Sequence, residues 1–248
     1  MEILGIDIGG SGVKGALVEV ETGQLVGERR RLDTPVSLTT ADVLTTVRDL
    51  VALFEGYKGP LGVGFPAVVV DGSPRTPFTA HHVPGWVGYP VAETICQLTG
   101  RNTTLLNDAD AAGIAEIRFG AGRNQPGTVI VLTFGTGVGS ALFLDGRLLP
   151  NTEFGNLYLK GHRQTAEWRT STMVRDKEKL SWPEYAGRVN EYLLHLEHLF
   201  TPQLFIIGGG LSRKTDKLFP LLTLKTAIVP AGLLNEAGII GAALAASM

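Results

Sequence analysis

Apolar residues along this chain fall into two repeating patterns. Short runs at residues 3–8, 103–106, 129–134 and 204–207 read as strands buried in a sheet. Residues 61–70 form a similar run broken by Gly62, Gly64 and Pro66, which reads as strands around a turn. Elsewhere the apolar positions keep helical spacing. Residues 41–54 place Val43, Leu44, Val47, Leu50, Val51 and Phe54 on one face, and residues 183–200 do the same with Tyr185, Val189, Tyr192, Leu193, Leu196 and Leu199. Residues 91–99 predict a helix closed by Gly100, and the Ala- and Gly-rich residues 235–247 predict a packed C-terminal helix. Strands alternating with helices predict an α/β protein.

One piece of this pattern is written twice. Residues 10–17 (GSGVKGAL) align without a gap on residues 135–142 (GTGVGSAL), at a constant offset of 125, and five of the eight positions are identical. Each copy follows an apolar strand and leads into a return strand, residues 16–20 and 141–144. A glycine hairpin of this kind bares main-chain N–H groups and a hydroxyl, a setting suited to phosphate oxygens. Hairpin turns that hold no ligand use the same glycines, but duplication near the chain midpoint points to a repeated architecture and hence to two domains.

Composition removes several classes of function. With 248 residues, 44% of them hydrophobic, the chain can bury a substantial core. A net charge of −2 leaves no large basic face for nucleic acid, and the run Arg29-Arg30-Arg31 reads as a solvated strand end. The single cysteine, Cys96, allows no internal disulfide and no multi-cysteine zinc site. No leader and no apolar segment of membrane-spanning length are evident, so a soluble, cytoplasmic protein is expected.

Candidate chemistry gathers at strand ends. Asp7 precedes the turn Gly9-Gly10-Ser11-Gly12, where a carboxylate can hold Mg²⁺ through water against a phosphate chain. Lys14 follows on the return strand and has no counterpart in the second copy, which carries Gly139. Asp108 follows a strand and opens a helix-like run of small residues, at the predicted domain junction. A carboxylate there can accept the proton of an attacking hydroxyl. Asn107 beside it offers a donor and an acceptor to neighbouring hydroxyls, although Asn and Asp also cap helices. Asp110 is a weaker candidate for the base. Glu153, in a loop after the second hairpin, can bind hydroxyls bidentately, and Gly208-Gly209-Gly210 after a buried strand suits close approach of a phosphate chain. His81, His82 and His162 lack the spacing of a metal site.

These residues resemble the ROK (repressor, open reading frame, kinase) sugar kinases, and within them the polyphosphate-using glucokinases. The resemblance rests on residues 7–15 (DIGGSGVKG), 106–113 (LNDADAAG), 133–141 (TFGTGVGSA), 152–156 (TEFGN), 204–210 (LFIIGGG) and 235–238 (NEAG), spread over nearly the whole chain. It implies the actin-like ATPase (ribonuclease H-like) fold, two lobes with a cleft between them. The lobes expected are residues 1–107, joined by the C-terminal helix 235–248, and residues 108–234. Asp108 becomes the general base for the glucose 6-hydroxyl. Phosphate is held by Asp7, Gly9, Gly10, Ser11, Gly12, Lys14, Gly135, Thr136, Gly137, Gly209 and Gly210. Mg²⁺ dependence, inorganic polyphosphate or ATP as donor, and a homodimer follow from the same resemblance.

The chain departs from the family at three places. Asn156 stands where a sugar-holding His follows Glu-x-Gly, and a His stands in place of a sugar-binding Asn. That position is His82 if Val83 fixes the register and His81 if the spacing to Trp86 does. The family's Gly-x-Pro-Gly turn is Gly64-Phe65-Pro66-Ala67 here, which puts Pro66 among the expected sugar contacts. The family's Cys-rich zinc motif is absent, so no zinc is expected. Two alternatives remain at this stage: an ATP-only hexose kinase such as a fructokinase or mannokinase, and a sugar sensor without turnover. A repressor is disfavoured because the chain opens directly on the phosphate strand. Lys160, Arg163, Arg169, Arg175, Lys177 and Lys179 are candidates for a polyphosphate groove, or for a solvated loop.

Overall fold

The structure, a computed structural model, describes residues 1–78 and 83–248. The chain divides into two compact units, residues 1–115 with 236–248 and residues 116–235. The division falls inside a helix, not at 107/108.

In the first unit β1 (Glu2–Ile8), β2 (Val13–Glu19) and β3 (Gln24–Leu32) form an antiparallel meander. Helix α1 (Thr40–Ala52) carries the chain to β4 (Leu61–Phe65), and a two-stranded ribbon follows, β5 (Val69–Val70) with β6 (Ser73–Pro74). Helix α2 (Val91–Thr99) leads to β7 (Thr103–Asn107), from which α3 (Asp108–Arg118) departs at once. The sheet order is β3-β2-β1-β4-β7, with β4 parallel to both β1 and β7.

The second unit repeats this plan. It contains β8 (Thr128–Phe134), β9 (Val138–Leu144), β10 (Arg147–Leu149), α4 (Glu167–Thr170), α5 (Thr172–Glu178) and α6 (Trp182–Phe200). It ends with β11 (Leu204–Gly209), α7 (Thr215–Leu218) and β12 (Ala227–Pro230). The order is β10-β9-β8-β11-β12, antiparallel on one side of β8 and parallel on the other, matching the first sheet strand for strand. The return strands β2 and β9 keep the offset of 125, but the entering strands β1 and β8 are 126 apart. The first turn is therefore one residue longer, by Gly9, and the counterpart of Asp7 is Thr133.

Local sequence explains the main helices. Thr39 caps α1 by accepting the Asp42 N–H, and α1 then buries Val43, Leu44, Val47 and Leu50. A capping box of Ser181 and Glu184 opens α6, which lays Tyr185, Val189, Tyr192, Leu193 and Leu196 on its own sheet. Gly100, at φ 68°, ends α2 as the sequence predicts. The predicted C-terminal helix is α8 (Ala237–Ala245), apolar on nearly every side and packed into the first unit. Its backbone comes so close that a Cβ on Gly5 would fall on the Ile239 carbonyl and one on Gly62 on the Ala242 carbonyl, while one on Gly241 would meet the Ala111 carbonyl. Nearby, the rings of Phe65, Phe78 and Trp86 pack at centroid distances of 4.6 to 5.2 Å, and the Trp86 indole N–H donates to the Leu38 carbonyl at 2.9 Å. Among the described residues, no helix is long and apolar enough to cross a membrane.

Candidate active site

In the first unit the predicted residues converge on the carboxyl edge of β1, β4 and β7, the edge at which parallel strands of α/β sheets hold their ligands. Asp7 is the next-to-last residue of β1, opposite Lys14 on β2 and Gly64 on β4. Asp108 is the first residue of α3, and a Cβ on Gly64 would stand 3.7 Å from its Cα. One glycine thus lies between the two aspartates. Asp108 Oδ1 accepts the Ala109 N–H at 2.8 Å, which orients the carboxylate at the helix start. Pro66 follows β4 directly, on the same edge.

Asn107 is committed more fully than its sequence context suggests. Its Oδ1 accepts from the N–H groups of Ala109 and Asp110, at 2.9 and 3.0 Å, and its Nδ2 donates to the Ala67 carbonyl at 3.1 Å. The side chain is buried, caps α3 and ties β7 to the turn after β4, and its second Nδ2 hydrogen has no acceptor among the described residues.

The turn between β1 and β2 leaves much of its main chain bare. Gly9 N–H closes it on the Gly12 carbonyl at 3.1 Å, and the Thr34 hydroxyl braces the Gly9 carbonyl at 2.6 Å. Among the described residues the N–H groups of Gly10, Ser11 and Gly12 have no acceptor. A Cβ on Gly10 would meet nothing within 4 Å, and the same holds for Gly135, its counterpart. Packing does not demand glycine at either place, so the missing side chain leaves the turn open to a ligand.

Charge flanks this turn. The Lys14 ammonium lies 3.5 Å from Asp7 Oδ2. Burial pushes the Asp7 carboxyl up, and the charges of Lys14 and Arg29 pull against it. Arg31, opposite Lys14 on β3, donates from Nη2 to the Ser11 carbonyl at 2.8 Å. The arginine run is therefore part of β3 and one member reaches the turn, a link that the linear sequence does not reveal.

In the second unit the turn Gly135-Thr136-Gly137 closes by a Gly135 N–H to Gly137 carbonyl bond at 2.9 Å. Gly208, Gly209 and Gly210 lie beside it, since β11 pairs Gly208 with Thr133 and Gly209 with Phe134. Gly209 has φ 68°, and a Cβ there would fall on the Phe134 backbone, so only glycine fits. Sequence reasoning misses Glu167, whose Oε2 accepts the Val138 N–H at 2.8 Å and covers Gly137. The loop carrying Glu153 and Asn156 is fastened to β9 by Ser140, whose hydroxyl donates to the Thr152 carbonyl at 2.7 Å and accepts the Phe154 N–H at 3.0 Å. Glu153 and Asn156 are exposed and 3.4 Å apart.

The basic candidates of this unit separate into two groups. Arg169 pairs with Glu191 at 2.8 Å, and Arg175 stacks on Trp182 at 4.1 Å, so both serve packing. Lys160, Arg163, Lys177 and Lys179 are exposed. His162 bonds to Glu191 at 2.8 Å. A surface hollow lined by Leu194, Glu197, Gln203 and Thr226 lies at the opposite, amino edge of this sheet and contains no predicted site residue. His81 and His82 lie outside the described residues.

Two units with one sheet order, each carrying a glycine turn at the same strand end, define the actin-like ATPase fold. The crystal structure of inorganic polyphosphate/ATP-glucomannokinase from Arthrobacter sp. strain KM matches with a TM-score of 0.94 and 42% identity, covering 99% of this chain and 98% of that one. A ROK family glucokinase from Streptomyces griseus, solved with glucose and AMPPNP, matches in fold at a TM-score of 0.82 and 23% identity, covering 98% of each chain. In sequence, the polyphosphate glucokinase of Mycobacterium tuberculosis (strain CDC 1551 / Oshkosh) is 49% identical over 242 residues, 97% of this chain and 89% of that protein. The ROK family profile matches residues 3–166, and the chain belongs to that family.

Proposed function

We propose that the protein is a hexose kinase that transfers a phosphoryl group from inorganic polyphosphate or ATP to the 6-hydroxyl of glucose. The observation that carries this reading is the gathering of Asp7, the open turn at residues 9–12 and Asp108 on one sheet edge, with a single glycine between the two aspartates. The names of the relatives at 49% and 42% identity point to the same chemistry.

In this reaction the sugar oxygen attacks the terminal phosphorus, the bond from that phosphorus to the rest of the donor breaks, and the hydroxyl proton passes to Asp108. The unpartnered N–H groups of Gly10, Ser11 and Gly12 bind donor oxygens, and Lys14 offsets their charge. In the first unit the remaining Nδ2 hydrogen of Asn107 is a donor for the sugar. Asp7 fits Mg²⁺ carried on the donor, because one hard carboxylate suits an ion that keeps its water and phosphate ligands. No cluster of three or more His, Cys, Asp or Glu able to cage a metal occurs among the described residues. When bound, that ion supplies neutralisation of the phosphate charge.

A coupled assay for hexose phosphate, run with polyphosphate and with ATP over several hexoses, tests the proposal. Glucose 6-phosphate with polyphosphate is the expected product. Turnover with ATP alone would move the protein to an ATP-only kinase, and no product with any pair would leave a sugar-binding protein without turnover. Asp108→Asn is expected to cut turnover by about 10²–10⁴-fold while glucose still binds by calorimetry. Retained turnover would remove Asp108 from its role.

A further inference from the structure

The two glycine turns are related by duplication, yet opposite charges cover them. A Cβ on Gly12 would stand 2.6 Å from Arg31 Nε and 3.1 Å from its Cζ, so the guanidinium lies flat against the bare Cα. At Gly137, the counterpart, that space is filled by the Glu167 carboxylate. The cross-strand rows differ in the same sense. Asp7, Lys14 and Arg31 are successive partners across β1, β2 and β3, whereas the second unit has Thr133 opposite Gly139 and its short β10 pairs only with residues 142–144.

We propose that Arg31 is a ligand of the phosphoryl donor, binding a phosphate of the donor chain next to the one held at Lys14. Three features carry this assignment. Lys14 and Arg31 sit on neighbouring strands, about 5 Å apart at the backbone, a spacing that suits successive phosphates of a linear polyanion. The Arg31 side chain is 48% exposed, and both its bond to Ser11 and its 3.0 Å contact to Asp33 are made through Nη2. Nη1 has no partner among the described residues and is left, with the guanidinium charge, to donate to a phosphate oxygen. Gly12 has ordinary backbone geometry, so the space above it is kept for the guanidinium and not for an unusual φ.

This inference rests on the donor being a phosphate chain, and its test is separable from the test of the kinase reading. Tripolyphosphate is titrated calorimetrically into the intact wild-type protein and into Arg31→Met and Arg31→Lys, with the donor and glucose KM measured alongside. We expect Arg31→Met to bind tripolyphosphate at least tenfold more weakly, with a shallower dependence on salt and an unchanged glucose KM. Arg31→Lys should fall between it and wild type, because charge is kept and the planar guanidinium that seats on Gly12 is lost. Arg31→Met binding within twofold of wild type would reduce Arg31 to a brace for the turn. If Arg31→Met does not fold, Arg31→Lys decides alone, and unchanged binding in it overturns the assignment. Wild-type protein that binds tripolyphosphate but forms no sugar phosphate would sink the kinase reading and leave Arg31 in place.

Discussion

Asp7 and Lys14 face each other across the first hairpin, Oδ2 to Nζ at 3.5 Å, and burial works against the charge that this pairing supports. The folded-state pKa of Asp7 lies above its unfolded value, so the folded protein holds this proton more tightly than the unfolded chain. Stability contributed by Asp7 is therefore full below the unfolded pKa, near 4, and is lost as pH rises through the folded pKa. Asp7→Asn should remove that loss. Its melting temperature, measured against wild type from pH 4 upward, is expected to gain on wild type as pH rises, while kinase activity falls. A constant difference would mean that Asp7 titrates as it does in the unfolded chain.

Glu167 places a carboxylate on the second turn, where it takes the Val138 N–H. A phosphate binding beside it meets like charge. Glu167→Gln keeps an acceptor for Val138 and removes the charge, so the donor KM should fall by roughly fivefold, about 1 kcal/mol at the water-like dielectric of an open turn. Steady-state kinetics with polyphosphate and with ATP measure this, and a rise in both KM values would show that the carboxylate assists binding.

Gly62 gives α8 its closest approach to the first sheet. Adding a methyl group forces backbone against backbone and is expected to cost about 1–3 kcal/mol or more. Gly62→Ala should melt several degrees below wild type by scanning calorimetry, and an unchanged melting point would mean that α8 backs away freely.

Tyr192 is buried in the core of the second unit, and its hydroxyl has no hydrogen-bond partner among the described residues. Burial, with the charges of Glu167 and Glu153, pushes its ionisation well above the ordinary range. Tyr192→Phe removes the unpaired group and keeps the ring edge-on to Phe134, so stability should rise by about 1 kcal/mol. A lower melting temperature would reveal a buried water on that hydroxyl.

Much of this architecture is readable along the chain because it is local. Both hairpins announce themselves by an apolar strand, a Gly-Ser/Thr-Gly turn and a return strand, and Asp108 stands where a strand run gives way to small helical residues. What escapes such reading depends on partners far away in sequence. The seat of Arg31 on Gly12 follows from the register of β3 against β2, and Glu167 reaches a turn 29 residues upstream. Arg169 and Arg175 look like free cations until Glu191 and Trp182 are placed beside them. Asn107 reads as a sugar contact, yet most of its hydrogen-bonding capacity goes to α3 and to Ala67.

The packing of α8 also bears on how the molecule is made. Residues 116–235 form an unbroken stretch that can collapse as soon as it leaves the ribosome, whereas the opening 115 residues lack a wall of their core until residues 236–248 are synthesised. Strands β1 to β4 thus wait for α8, and a frameshift or nick ahead of that helix would undo the unit whose strands were made long before it.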